Sequence, residues 1–187
     1  MKNYKGFTLL EILAVVAILA LMSLFLIPIY IDYSRLYARE NAKIDLNLAK
    51  QTILNDLSKN IKGATAVLTT STINGVNFVT GNQTLILSLP SIDNQREVIS
   101  GSFDLLVYYL STSTPIKLVK RVAPALVSRR LPQNRALGQN VNFLEFSYNT
   151  PDPAEAKAVV VTLANSRAVF GQTYTVTSTL SAVLRNK

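Results

Sequence analysis

The sequence predicts an α+β fold, a long N-terminal helix packed on an antiparallel β-sheet. Three observations carry that expectation. From Ile12 to Ile31, twenty consecutive residues are uncharged and mostly apolar. Beyond them Ala42, Leu46, Ala49, Ile53, Leu57 and Ile61 recur at three- and four-residue spacing, the mark of one buried helix face. After Gly63 the apolar period shortens to two, the mark of strands.

The apolar run comes first. At about 1.5 Å per residue it spans about 30 Å, the thickness of a bilayer's hydrocarbon core. Lys2 and Lys5 precede it, and between Phe7 and Ile31 only Glu11 is charged. This pattern reads as a membrane helix with its positive end inside. Glu11 does not fit a plain anchor, because a charge at the edge of an apolar run is costly. A carboxylate in the first turn offsets the helix macrodipole. It would also stand one turn from a free amine on Phe7 if the chain were cut after Gly6, and it could pair with the amine of a neighbouring subunit.

The polar continuation extends the same helix. Lys43, Asp45, Asn47, Lys50, Asn55, Asp56 and Lys59 lie off the apolar stripe, and Gly63 is a suitable stop. One helix from Phe7 to Lys62 is expected. Pro28 inside it removes a backbone bond to Leu24 and is expected to kink or loosen it.

Strands are expected at residues 64–69, 76–79, 84–89, 105–110, 116–122, 141–148, 158–163 and 174–184. Asn74-Gly75 and Gly81-Asn82 are turn signals between the first three. Leu85, Leu87 and Leu89 alternate with Ile86 and Ser88, so that strand should be covered on much of both faces. The alternation around Phe143 and Phe146, and from Thr173 to Ser181, is weaker. Short gaps without helical periods make the sheet antiparallel. Residues 123–139, with Pro124 and Pro132, read as an irregular excursion.

The N-terminal stretch KGFTLLEILAVVAILALM closely resembles the class III signal of type IV prepilins and type II secretion pseudopilins. The resemblance implies a pilin-like fold. It also implies cleavage by a dedicated membrane peptidase between Gly6 and Phe7, and methylation of the new N-terminal Phe7. Glu11 matches the family's glutamate at the fifth mature position, and Pro28 its helix-bending proline. The chain would then comprise a leader at 1–6, a transmembrane and filament-core half-helix at 7–31, an amphipathic half-helix at 32–62 and a globular domain at 63–187. An ordinary secretory signal would need a shorter apolar core and an A-x-A site after it. The residues after the run, from Pro28 to Asp32, lack one. An uncleaved signal anchor stays open.

Further short motifs are similar to the PilW and PulJ group of minor pilins and pseudopilins. They are Asp56-Leu57, 61–64, 85–89, 107–109, 118–121, 140–143 and 184–186. Many type IV pilins close a C-terminal loop with a disulfide. This chain has no cysteine, which weakens a major-pilin reading. The resemblance favours a minor pilin of a type IV pilus, with a J-like pseudopilin at the tip of a secretion pseudopilus as the alternative. It implies other pilins, the prepilin peptidase, an inner-membrane assembly platform and membrane lipid as partners. The chain would sit in the inner membrane as a single-pass protein, its C-terminal domain outside the cytoplasm, before it enters the pilus or pseudopilus.

Enzymatic chemistry finds little support. The absence of histidine and cysteine removes the commonest bases, thiol nucleophiles and soft metal ligands. No phosphate-cradling GxxxxGK[ST] or GxGxxG follows a strand. Asp152 and Glu155 in TPDPAE could in principle bind Ca²⁺ with backbone oxygens, but acidic residues beside prolines are usually solvated turn formers. No cofactor and no metal is expected. The formal charge is +8, with a basic run of Lys117, Lys120, Arg121, Arg129, Arg130 and Arg135. That run reads either as a solvated face or as a patch for an anionic partner, an acidic subunit or a DNA backbone. The second option keeps a DNA-binding pilin of an uptake filament in play. Tyr108 and Tyr109 lie on a nearby expected strand.

Overall fold

The computed structural model describes residues 8–185, which form two compact units divided between Asn41 and Ala42. One helix, α1 (Leu9–Gly63), contributes to both. Its expected start at Phe7 lies outside the described residues. Its residues 9–37 are exposed throughout, and they carry the segment long and apolar enough to cross a membrane. Helical backbone runs unbroken through Pro28. The expected loosening therefore stops short of a break, because a proline costs one backbone bond and the turns on either side keep theirs.

In the second unit the expected stripe is the buried face of α1: Ala42, Leu46, Ile53, Leu57 and Ile61 are buried and Ala49 is half-buried. Among the described residues, eight of ten strands make up two larger antiparallel sheets. The first has the order β1-β4-β5-β6-β7, from β1 (Ala66–Val67), β4 (Thr84–Ile92), β5 (Val98–Leu110), β6 (Lys117–Ala123) and β7 (Gln133–Gln139). The second has the order β10-β9-β8, from β8 (Val141–Tyr148), β9 (Ala158–Val169) and β10 (Gln172–Val183). The remaining strands, β2 (Thr70–Ile73) and β3 (Val76–Val79), form a hairpin. Asn74 and Gly75, at φ of 50° and 77°, make its two-residue turn.

The single expected sheet is thus corrected to two larger sheets and a hairpin. The chain leaves one sheet for the other at Asn140, whose φ of 59° turns it between β7 and β8. The excursion at 123–139 is corrected too, since its last seven residues are β7, paired with β6 from Gln133 to Gln139. β7 lies at a sheet edge with most side chains exposed, so its sequence has no apolar alternation to reveal it. The segment expected at 64–69 keeps only β1 as a strand, and 70–73, which the alternation did not mark, pairs with β3.

One core joins these elements. Ile53, Leu57 and Ile61 of α1 meet Leu85, Leu87, Leu89, Leu106, Leu118, Phe146, Val161 and Leu163 from the two larger sheets. The opposite face of the first sheet holds a smaller cluster, where Ile86 and Val107 pack on Ile73 of the hairpin, with Phe78 and Tyr109 alongside. The interior strand β4 is therefore covered on both faces, as its composition implied. Gly138, opposite Leu118, lies so close to α1 that a Cβ would stand 2.6 Å from Ile53 Cδ1 and 3.3 Å from its Cγ1. Gly138→Ala is expected to force Ile53 aside and cost about 1–3 kcal/mol, the usual range for overpacking, measured by urea unfolding.

Candidate functional site

The processing site itself, Gly6 and Phe7, lies outside the described residues, as do Lys2 and Lys5. The first described turn shows how Glu11 is held. Its Oε2 accepts from the Thr8 backbone N–H at 2.8 Å and from Thr8 Oγ1 at 3.0 Å. The Glu11 N–H donates back to Thr8 Oγ1 at 3.3 Å. This is a capping box, a Thr followed three residues later by a Glu, each satisfying a donor that the helix end leaves without a partner. The T-x-x-E spacing was visible in the sequence and went unread. The carboxylate therefore sits at the head of an exposed apolar helix, where it can accept a positive charge from outside the chain.

The basic run divides. Lys120 is buried, with Nζ at 2.9 and 3.0 Å from the two oxygens of Asp56. Tyr108 Oη donates to Asp56 Oδ2 at 2.6 Å and accepts from Asn60 Nδ2 at 2.9 Å, while Arg135 reaches Asp56 Oδ1 at 3.5 Å. Asp56, expected off the apolar stripe of α1, is thus the centre of a charged cluster that ties the helix to β5, β6 and β7. Lys120 falls between Leu118 and Val122 on the inward face of β6, so strict alternation already pointed it inside.

Arg130 is likewise engaged. Its Nε donates to Asp104 Oδ2 at 2.7 Å and its Nη2 to the Pro90 carbonyl at 3.0 Å. Asp104 is fully buried and accepts three more bonds, from Ser91 Oγ, the Ala125 N–H and Ser128 Oγ, each at 2.9 Å. It shares a face of β5 with Leu106 and Tyr108, a period-two signal that the sequence reading overlooked. Of the other basic residues, Lys117 is half-buried at the start of β6 and Arg129 is exposed. Arg121 lies 5.9 Å from the Phe78 ring. Tyr108 and Tyr109 point to opposite faces, Tyr108 into the main core and Tyr109 against Phe78 with ring centroids 5.2 Å apart.

Burial pushes the Tyr108 phenol well above its ordinary value, and the neighbouring Asp56 carboxylate adds to the effect. Burial raises Tyr148 as well. A raised folded value means the native state keeps protons that the unfolded chain has lost, so this contribution is complete below about pH 10 and declines above it. Tyr108 alone is expected to lower stability by about 1.4 kcal/mol per pH unit above that point. Urea unfolding between about pH 8 and 11 should show a flatter slope for Tyr108→Phe.

Asp152 caps a short 3-10 turn at Pro153–Glu155, accepting from the Ala154 N–H at 2.9 Å. Among the described residues no group of three or more carboxylates gathers as a metal site.

Comparison with known families supplies one match. The family model for the prokaryotic N-terminal methylation motif matches residues 1–27. No solved structure matches the chain. The motif supports a type IV pilin or pseudopilin type of protein, a structural rather than an enzymatic class. It implies processing by prepilin peptidase and assembly with other pilins, and with the apolar helix it supports membrane anchoring. The PilW and PulJ subgroup is not distinguished by it.

Proposed function

We propose that the chain is a minor pilin of a type IV pilus, cut between Gly6 and Phe7, methylated on Phe7, and assembled through α1. The observation that carries this reading is the methylation motif at residues 1–27 running directly into an exposed, membrane-length apolar helix headed by Glu11. In the membrane, lipid covers that helix; in the filament, neighbouring helices do so. Glu11 would then exchange its Thr8 partners in part for the amine of a neighbour's Phe7, an exchange favoured by the low dielectric of an apolar bundle. Before assembly Lys2 and Lys5 lie in the cytoplasm and the sheet domain outside it. A J-like secretion pseudopilin would use the same helix chemistry, and genomic neighbours separate the two: retraction motor genes for the pilus, secretion-type genes with a secretin for the pseudopilus. A DNA-uptake role gains less support, because Lys120 and Arg130 are held by internal carboxylates.

The deciding experiment is the N-terminal mass of the protein from cells with and without prepilin peptidase. A peptide that starts at Phe7 with one added methyl, and is lost in the peptidase mutant, supports the reading. A retained 1–6 leader in wild-type cells sinks it.

A further inference from the structure

Strand edges are normally protected by shortness, charge, proline or bulges, because their free N–H and C=O groups accept any passing strand. Most edges in this domain follow that rule. β1 is two residues long, and β7 carries Arg135 and pairs through a register shift. β8 carries Glu145 and a shift between Val141 and Phe143, and its Phe146 N–H is already given to the Asn82 carbonyl. β10 is different. It runs twelve residues, QTYTVTSTLSAV, with no charge and no proline, and pairs with β9 in unbroken register on one side only. Among the described residues no backbone group of Gln172–Val183 bonds to anything but β9.

We propose that this edge pairs antiparallel with the β10 of a second copy, about a twofold axis through Thr177. An extended strand is the one partner that satisfies a whole row of alternating donors and acceptors, and β10 is complementary to itself. Pairing Thr177 with its own copy sets Thr175 opposite Thr179 and Thr173 opposite Ser181 on the exposed face. On the half-buried face it sets Tyr174 opposite Leu180 and Val176 opposite Ser178. Across the exposed face hydroxyl meets hydroxyl, a favourable cross-strand pair, and no like charges oppose on either face. The interface is isologous, so it closes at two copies and joins two three-stranded sheets into one. It does not depend on the filament reading.

A chain without native cysteine makes the test direct. Single-cysteine variants of the full chain are oxidised in detergent, and the disulfide-linked dimer is quantified. Residues opposite each other across a pair are close enough to bridge after small adjustment. Thr177→Cys is expected to give about tenfold more dimer than Thr175→Cys or Thr179→Cys alone, because pairing makes its encounter intramolecular. An equimolar mixture of the last two should restore the yield as a mixed dimer. Thr177→Lys, which places like charges across the axis, should remove the association when chains carrying donor and acceptor dyes are mixed. A monomeric Thr177→Cys chain overturns the proposal. So does equal crosslinking at all three positions, which would assign the contact to the apolar helices.

Discussion

Asp104→Ala is expected to destabilise the domain by about 3–5 kcal/mol, the range for removing one partner of a buried ion pair. Four donors converge on this carboxylate from β4, from the segment after β6 and from Arg130, and the substitution takes that acceptor from all four at once. Removing Arg130 should cost less than removing Asp104. In Arg130→Met the carboxylate loses its counter-ion but keeps three donors that offset part of that cost, and the lost charge-assisted bond is worth about 1.5–3 kcal/mol. The ranking, read from urea midpoints, is the critical outcome. Equal losses would mean that the ion pair rather than the convergence of donors holds the site. A second readout is local. The segment from Ala125 to Leu131 exposes Leu126, Val127 and Leu131, and Asp104 holds it through Ala125, Ser128 and Arg130. Without that carboxylate, trypsin should cut at Arg129 or Arg130 well below the unfolding transition, since local opening exposes sites that global stability otherwise protects.

The parts of this fold that were legible in the sequence are those set by apolar period. The stripe from Ala42 to Ile61 gave the buried helix face, the Leu85–Leu89 run gave a strand covered on both sides, and Asn74-Gly75 gave a hairpin. The polar interior was harder to read, though not for want of signal. Asp104 stands two residues before Leu106, and Lys120 stands midway between Leu118 and Val122, so the strand period placed both inward. A buried charge is sound only when a partner lies elsewhere in the chain, which a local pattern does not display. Asp56 lies 64 residues from Lys120, and Asp104 lies 26 from Arg130. β7 was missed for the opposite reason. An edge strand needs to satisfy only one side, so QNRALGQ carries little pattern beyond a glycine, and Gly138 is explained by Ile53 on a distant element. At the N-terminus the motif identified Glu11 without showing that Thr8 completes its capping box.

Asp56→Ala should be as damaging as the loss of Asp104, but it can be rescued. The substitution strands the Lys120 ammonium in a site where its side chain is 9% exposed, and it leaves the Tyr108 hydroxyl only the long bond to the backbone carbonyl of residue 56, at 3.4 Å. The expected cost is about 3–5 kcal/mol. Adding Lys120→Met removes the stranded charge, so the double variant should be more stable than Asp56→Ala alone, an inversion that simple additivity forbids. Adding Tyr108→Phe and placing Leu at position 56 removes the remaining polar atoms, and the all-apolar set should approach wild-type stability, as replaced buried ion clusters often do. Urea unfolding of the series checks each step; a double variant weaker than Asp56→Ala would show that Lys120 has another anionic partner. If the rescue succeeds, the cluster adds specificity rather than net stability. An apolar stripe of Ile53, Leu57 and Ile61 can slide by a turn along a Leu-rich sheet at modest cost, whereas one carboxylate held by Tyr108, Lys120 and Arg135 from three adjacent strands has a single register. If the chain assembles through its helix as proposed, that register would keep the sheet domain from slipping along α1.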